Sequence, residues 1–436
     1  LNKENMPGFQ LTNYLTFRKD PLAFLYDTHT IADIVTINPS DRLASYIIHA
    51  PEAIKEILTV KDEQFVKGSS AKIFSRTLGE GVLTTEGETH RRQRKMVQPA
   101  FHKKRIAGYA DAVTAYADEL VQSWQDGEVR WMNQDMMQLT LRVIVKTMFG
   151  TDIQGRTTEI AQAVNDIIEK AADSIMMPIR LFDWLPTKKN RRYEQGVKTL
   201  DELTDDLVAE AKPDEDNMMG MLLQARYEDG EPLSRKEIRD QVVTFLIAGH
   251  ETTANALTWA LFLLSQNPEA EQLFHQELDT VLQGRCPTFA DIPSLVYTNQ
   301  IMQETLRLYP PAWIVLREAK EDVEIGGHSF KKNASFMISP YVMHRNPAFF
   351  AEPEAFRPER FTKENQANIP HYAYIPFGAG SRGCIGTQFA MMEALLILAT
   401  VGQRYKLRTL EPEKVRPEPL VSLRVRDGVQ MEVVKR

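Results

Sequence analysis

The chain is poor in cysteine: Cys286 and Cys384 are the only two in 436 residues. That excludes a disulfide framework and a cysteine-rich zinc site, so any cysteine chemistry rests on a single thiol. Charge of one sign is also scarce. The formal net charge is −7 and no long like-charged block dominates, which points to neither nucleic acid nor an anionic membrane as a partner. The opening residues, LNKENMPGFQLTNYL, show no charged stretch followed by an apolar one. Neither a signal peptide nor an anchor helix is therefore expected, and the expected compartment is the cytoplasm. The most apolar long run, FLIAGHETTANALTWALFLL at 245–264, carries His250, Glu251 and Asn255 in its middle. A lipid-facing helix tolerates such residues only at high cost, so a helix buried in protein is the better reading, with no membrane. Length alone would suggest two or three domains. Linkers rich in Gly, Ser or Pro, internal repeats and low-complexity segments are all lacking, so a single domain over 1–436 is expected.

What is present is ordinary globular material, 43% hydrophobic and 25% charged. Short extended runs, IADIVTI at 31–37 and SYIIHA at 45–50, lie beside the turn residues Asn38, Pro39 and Asp41 and predict a small sheet near the N-terminus. From about 88 to 270 the apolar spacing is helical, with helices predicted over 103–125, 134–149, 157–176 and 191–212. Ser234 followed by Glu237 is a capping-box signature. It opens a pattern that reaches Pro268 with Gly249 as its one interruption, a helix of roughly thirty residues and about 45 Å. Helices follow over 268–283 and 292–308, the second stopped by Pro310 and Pro311. Residues 313–340 alternate around a Gly326-Gly327 turn, and 341–383 form a long coil punctuated by Pro and Gly. A coil of that length inside a compact domain is usually functional. An apolar helix from Gly386 and the strand-like VSLRVRDGVQMEVV close a chain that is mainly α with small β-sheets.

The strongest chemical signal is Phe377-Gly378-Ala379-Gly380-Ser381-Arg382-Gly383-Cys384-Ile385-Gly386, three glycines leading to a cysteine at the start of a helix. Glycines at 378, 380 and 383 would let a flat cofactor sit directly on the backbone. The free N–H groups and dipole of a helix N-terminus favour a thiolate, the form that ligates a metal. In QETLRLYPP, Glu304 and Arg307 share a helix face and can pair; Phe356-Arg357-Pro358-Glu359-Arg360-Phe361 follows. In the long helix, Ala248, Gly249, Thr252 and Ala256 share a face of mostly small residues, and Thr252 can bond back to the carbonyl four residues earlier.

The ten residues around Cys384 match F-x-x-G-x-R-x-C-x-G, and with the other motifs in order the chain resembles the cytochromes P450 over essentially its whole length. The resemblance implies the triangular helical bundle of that family around haem b, held by Cys384 between its loop and the long helix. It implies that Phe377, Gly378, Ala248 and Gly249 border the haem. His90, Arg94, Arg317 and Arg382 would meet the propionates, His90 standing where most members have Trp. Glu304, Arg307 and Arg360 would form a structural cluster. Ala248-Gly249-His250-Glu251-Thr252-Thr253 resembles the oxygen-activation motif, with Glu251 and Thr252 as the acid-alcohol pair that directs protons during O–O cleavage; His250 reads as a packing residue.

The implied activity is a monooxygenase that activates O2 with two electrons and hydroxylates an apolar substrate. The apolar runs at 66–85 and 311–315 match the lining of that site, and Arg42 with Tyr46 could pin a carboxylate, making a fatty acid the leading expectation. Terpenoid or steroid hydroxylation, a haem-thiolate peroxygenase or isomerase, and a non-enzymatic haem gas sensor are the alternatives. No flavin- or iron-sulfur-binding segment is visible, so electrons would come from a ferredoxin, a flavodoxin or a flavin reductase, separate or fused. Arg91, Arg92, Arg94, Lys95, Lys103, Lys104 and Arg105 would steer an acidic donor.

Overall fold

Alternating apolar residues in the N-terminal runs build strands, as the computed structural model shows for the residues it describes: 1–8, 10–39, 44–176, 187–227 and 230–436. Two compact units emerge, Leu1–Lys72 with Gln303–Cys384, and Ile73–Met302 with Ile385–Arg436. In the first, six strands pair in the order Lys3–Asn5, Ile34–Asn38, Ser45–Ile48, Ser335–Ile338, Val315–Ala319 and Phe65–Val66. Register is set by which side chains must be covered. Ile34 pairs Ile48, Ile48 pairs Ile338, and Ile338 pairs Val315; the three isoleucines are fully buried. Tyr46, Phe330, Phe336 and Phe65 complete this core, with Tyr46 edge-on to Phe330 at 4.7 Å between centroids. Val323–Ile325 and His328–Phe330 form a hairpin whose two turn residues, Gly326 and Gly327, have φ of +57° and +80°. A two-residue turn of that hand needs positive φ at both places.

The coil after the sheet is locked by charge. Glu304 accepts from Arg307 Nε at 2.7 Å and Nη2 at 2.8 Å, from Arg360 Nε at 3.2 Å and from the Arg357 amide at 2.9 Å. Arg307 also donates to the carbonyls of His344, Pro353 and Ala355. Both Glu304 and Arg307 are fully buried. Two cations and an amide around the carboxylate, and three carbonyls around Arg307, leave no isolated buried charge, which is what makes such burial tolerable.

The second unit is helical. Lys103–Gln122, Met132–Phe149, Thr157–Met176, Lys188–Glu210, Pro268–Leu282 and Thr387–Arg404 all follow apolar periodicity. Met218–Gln224 adds a short helix within the stretch of helical spacing. Ser234 caps the long helix Arg235–Gln266 with both halves of the capping box formed. From Asp240 to Leu261 this helix is buried on nearly every side, as one crossing a protein interior must be. Its neighbours are specific: Gly249 faces Ile144, Asn255 donates to Ser422 Oγ at 2.8 Å, and Trp259 Nε1 donates to the Leu423 carbonyl at 3.3 Å. Among the described residues no helix is long and apolar enough to cross a membrane.

Candidate active site

The cysteine loop belongs to the first unit. The Gly378 amide donates to the Ile375 carbonyl at 3.0 Å, Gly383 to Gly380 at 3.0 Å, and Cys384 to Phe377 at 2.8 Å. Two outside anchors hold this folded-back chain. The Ser381 amide donates to Asp62 Oδ2 at 3.1 Å, and the Ile375 amide donates to His344 Nε2 at 2.9 Å. Burial, with Arg307 and Arg345 nearby, lowers the His344 pKa to about 3, so its ring is neutral and free to accept. At the end of this pinned loop the Cys384 residue is exposed.

The three glycines do three different things. At Gly378, φ is +66° and an added Cβ would meet nothing nearer than the Gly383 Cα at 3.9 Å, so this face is open. At Gly380, φ is +69° and a Cβ would lie 1.7 Å from the Leu58 carbonyl oxygen; glycine is needed for close backbone approach. A Cβ at Gly383 would press on the Gly380 carbonyl at 3.3 Å, inside the loop itself. Open backbone for a flat group is therefore found at Gly378, not at all three. The helix begins at Thr387, so Cys384 precedes its first turn rather than opening it. Arg382 is half-buried in the loop, and Arg317, 8% exposed, lies on the strand Val315–Ala319 of the same unit.

The oxygen-motif residues belong to the second unit. Between Asp240 and Leu261 only Ala248, Gly249 and Thr252 are not buried. This strip is small and mostly apolar. Thr252 Oγ1 donates to the Ala248 carbonyl at 2.7 Å, the expected back-bond. Ala256 is buried, so the accessible face is shorter than the spacing suggested. A Cβ at Gly249 would lie 2.7 Å from Ile144 Cδ1, so that glycine answers to the neighbouring helix Met132–Phe149 as well as to the open strip.

Glu251 and Thr252 are sequence neighbours but no hydrogen bond joins them. Glu251 is buried near Ser422 and Arg424, and one of its oxygens, Oε1, has no hydrogen-bond partner. Burial pushes its pKa up to about 7, against the opposing pull of the Ser422 hydroxyl and the Arg424 guanidinium. Arg424 itself is shared with Glu418, 2.7 Å from its Nε, and with Asn165. His250 is buried, neither ring nitrogen has a partner, and burial lowers its pKa to about 4. It is a neutral packing residue, as its position on another face suggested. His90 is buried and Arg94 half-buried on the helix Gly87–Val97 in this unit.

Sequence reasoning missed Glu393, buried in the helix Thr387–Arg404. Neither of its oxygens completes a hydrogen bond by geometry, and burial pushes its pKa up to about 8 although Thr253 lies near enough to oppose the shift. The available signal was one acid in the middle of an apolar helix. Arg42 lies outside the described residues, and Tyr46 is packed in the aromatic core, so the carboxylate-pinning expectation finds no support.

A family model described as Cytochrome P450 matches residues 16–431. The chain is 38% identical to the cyclooctatin synthase of Streptomyces melanosporofaciens over 94% of this chain and 90% of that protein. It is 37% identical to the cyclooctat-9-en-7-ol 5-monooxygenase of the same organism, over 89% and 85%. With the pentalenene oxygenase of Streptomyces avermitilis the identity is 34%, over 92% and 90%.

Proposed function

The chain belongs to the cytochrome P450 family and is a haem-thiolate monooxygenase; from that premise we propose that Cys384 ligates the iron and that the substrate is a compact terpenoid. The observation that carries the ligand assignment is the exposed Cys384 at the end of a loop whose backbone is otherwise pinned. Each unit by itself offers what haem b needs: the first has a thiol at Cys384 and an open backbone face at Gly378, and the second has a small accessible strip at Ala248, Gly249 and Thr252. His90, Arg94, Arg317 and Arg382 are the groups we assign to its propionates, with Phe377 beside the ring. Haem bound through a thiolate supplies the activation of O2 and the insertion of one oxygen atom into the substrate.

The chain's own residues manage protons and position. A Glu251 carboxyl with a pKa near 7 can give and retake a proton at neutral pH. Thr252 keeps a hydroxyl on the accessible strip by tying its hydrogen to Ala248. With no direct bond between them, transfer from Glu251 to Thr252 runs through water. The terpenoid reading rests on relatives named for pentalenene and cyclooctat-9-en-7-ol, and on apolar side chains such as Leu83, Ile314 and Val315 that remain accessible. The electron donor in this reading is an acidic ferredoxin or flavodoxin. Arg91 pairs with Glu88 and Arg105 with Asp216, whereas Lys95, Lys103 and Lys104 have no ion-pair partner among the described residues and supply the steering charge.

The test is the absorption spectrum of the reduced protein under carbon monoxide, with and without Cys384→Ala, followed by titration with cyclic terpenes and with fatty acids. A strongly red-shifted Soret band lost in the variant, and a spin-state shift with terpenes alone, is the expected result. An identical band in the variant would overturn the ligand assignment. A shift with fatty acids alone would overturn the substrate class.

A further inference from the structure

Residues 79–85 form a turn built against the long helix. Asp240, with its side chain 2% exposed, accepts from the Glu80 amide at 2.8 Å, from Lys236 Nζ at 2.8 Å and from Arg239 Nη1 at 3.1 Å. The next residue, Gln241, accepts from the Val82 amide at 3.2 Å. Contact is close enough to require glycine twice. A Cβ at Gly79, where φ is +82°, would lie 2.1 Å from Asp240 Oδ1, and one at Gly81 would lie 2.0 Å from Thr244 Oγ1. Gln93 holds the other side, accepting from Thr85 Oγ1 at 2.7 Å and donating to the Glu80 carbonyl at 2.8 Å. Thr84 closes the turn onto the Gly79 carbonyl at 2.6 Å.

Position gives this turn a role. Thr244, which Gly81 touches, is one helical turn before Ala248, the first residue of the accessible strip, a rise of about 6 Å. Leu83, at 37% exposure, is a large apolar residue left accessible in a turn whose Val82 and Thr84 neighbours are buried. The geometry points to Asp240 and Gln241 as positioning residues that hold residues 79–85 as a fixed wall beside the strip and so determine which ligands fit there. This inference rests on the proposed haem site at the strip. A wall held by buried hydrogen bonds is ordered before a ligand arrives, so ligand binding does not bear the cost of ordering it.

The experiment uses the haem-loaded protein, Asp240→Ala and Gln241→Ala, with imidazole and 4-phenylimidazole as probes read by absorbance, and hydrogen exchange of the 79–85 peptide. Imidazole is too small to need the wall and reports the haem site alone. In Asp240→Ala the affinity for imidazole should stay within about twofold and that for 4-phenylimidazole should fall at least fivefold. Exchange at Glu80 and Val82 should quicken at least tenfold. Gln241→Ala removes one bond and should show the same pattern more weakly, which keeps the test intact if Asp240→Ala does not fold. Unchanged exchange would overturn the latch, and quickened exchange with unchanged 4-phenylimidazole affinity would overturn the wall. Failure of imidazole to shift the parent spectrum would instead overturn the haem site on which the inference rests.

Discussion

Glu304 and Glu251 are both buried carboxylates, and the protein treats them oppositely. Glu304 is enclosed by Arg307, Arg360 and the Arg357 amide, so its charge is fully answered. Glu251 keeps an oxygen without a partner, and burial raises its pKa to about 7. Glu393 is treated like Glu251, with a pKa pushed to about 8. A carboxylate whose task is to hold chain segments together is saturated with donors. The carboxylate proposed to exchange a proton is left underfilled, at a cost in stability.

Breaking the saturated cluster should have the largest effect. Arg307→Ala leaves Glu304 buried with one cation fewer and should destabilise the protein by about 3–5 kcal/mol in denaturant unfolding. A loss under about 1 kcal/mol would remove the contrast between the two carboxylates. Next comes Glu251→Gln, which removes the proton but keeps the shape. Product formation should slow by about 10²-fold, and the inflection near pH 7 in the parent's rate profile should vanish. Retention of that inflection would assign it to another group.

The smallest effect is expected at Glu393. The native carboxyl keeps its proton to about pH 8, whereas the unfolded chain releases it near 4.5. The native state therefore binds more protons across that window, and stability falls as pH rises through it. Glu393→Gln should lose that slope, so its Tm should gain on the parent's by a few degrees between pH 5 and 8.5. Parallel Tm curves would show that Glu393 is ionised in the native state.

Legibility in the sequence followed distance along the chain. Ser234 and Glu237 announced the long helix because both halves of the cap lie within one turn. Cys384 and the Glu304–Arg307 pair were equally local. The Glu80–Asp240 contact spans 160 residues, and nothing in either segment names the other. The separate duties of Gly378, Gly380 and Gly383 were hidden for the same reason, since only Gly380 answers to a remote carbonyl, that of Leu58. Glu393 could be noticed as a misplaced acid, but its burial depends on partners that periodicity does not identify.

The three accessible residues in the middle of the long helix set the size of the target for protein engineering. A library varied across 240–261 would spend most of its members on positions where any change of volume disturbs packing before it reaches a ligand. Ala248, Gly249 and Thr252 are the accessible positions, and of these Gly249 is already constrained by Ile144. New selectivity is more economically sought at Leu83 and Ala312, which are exposed, than along the long helix.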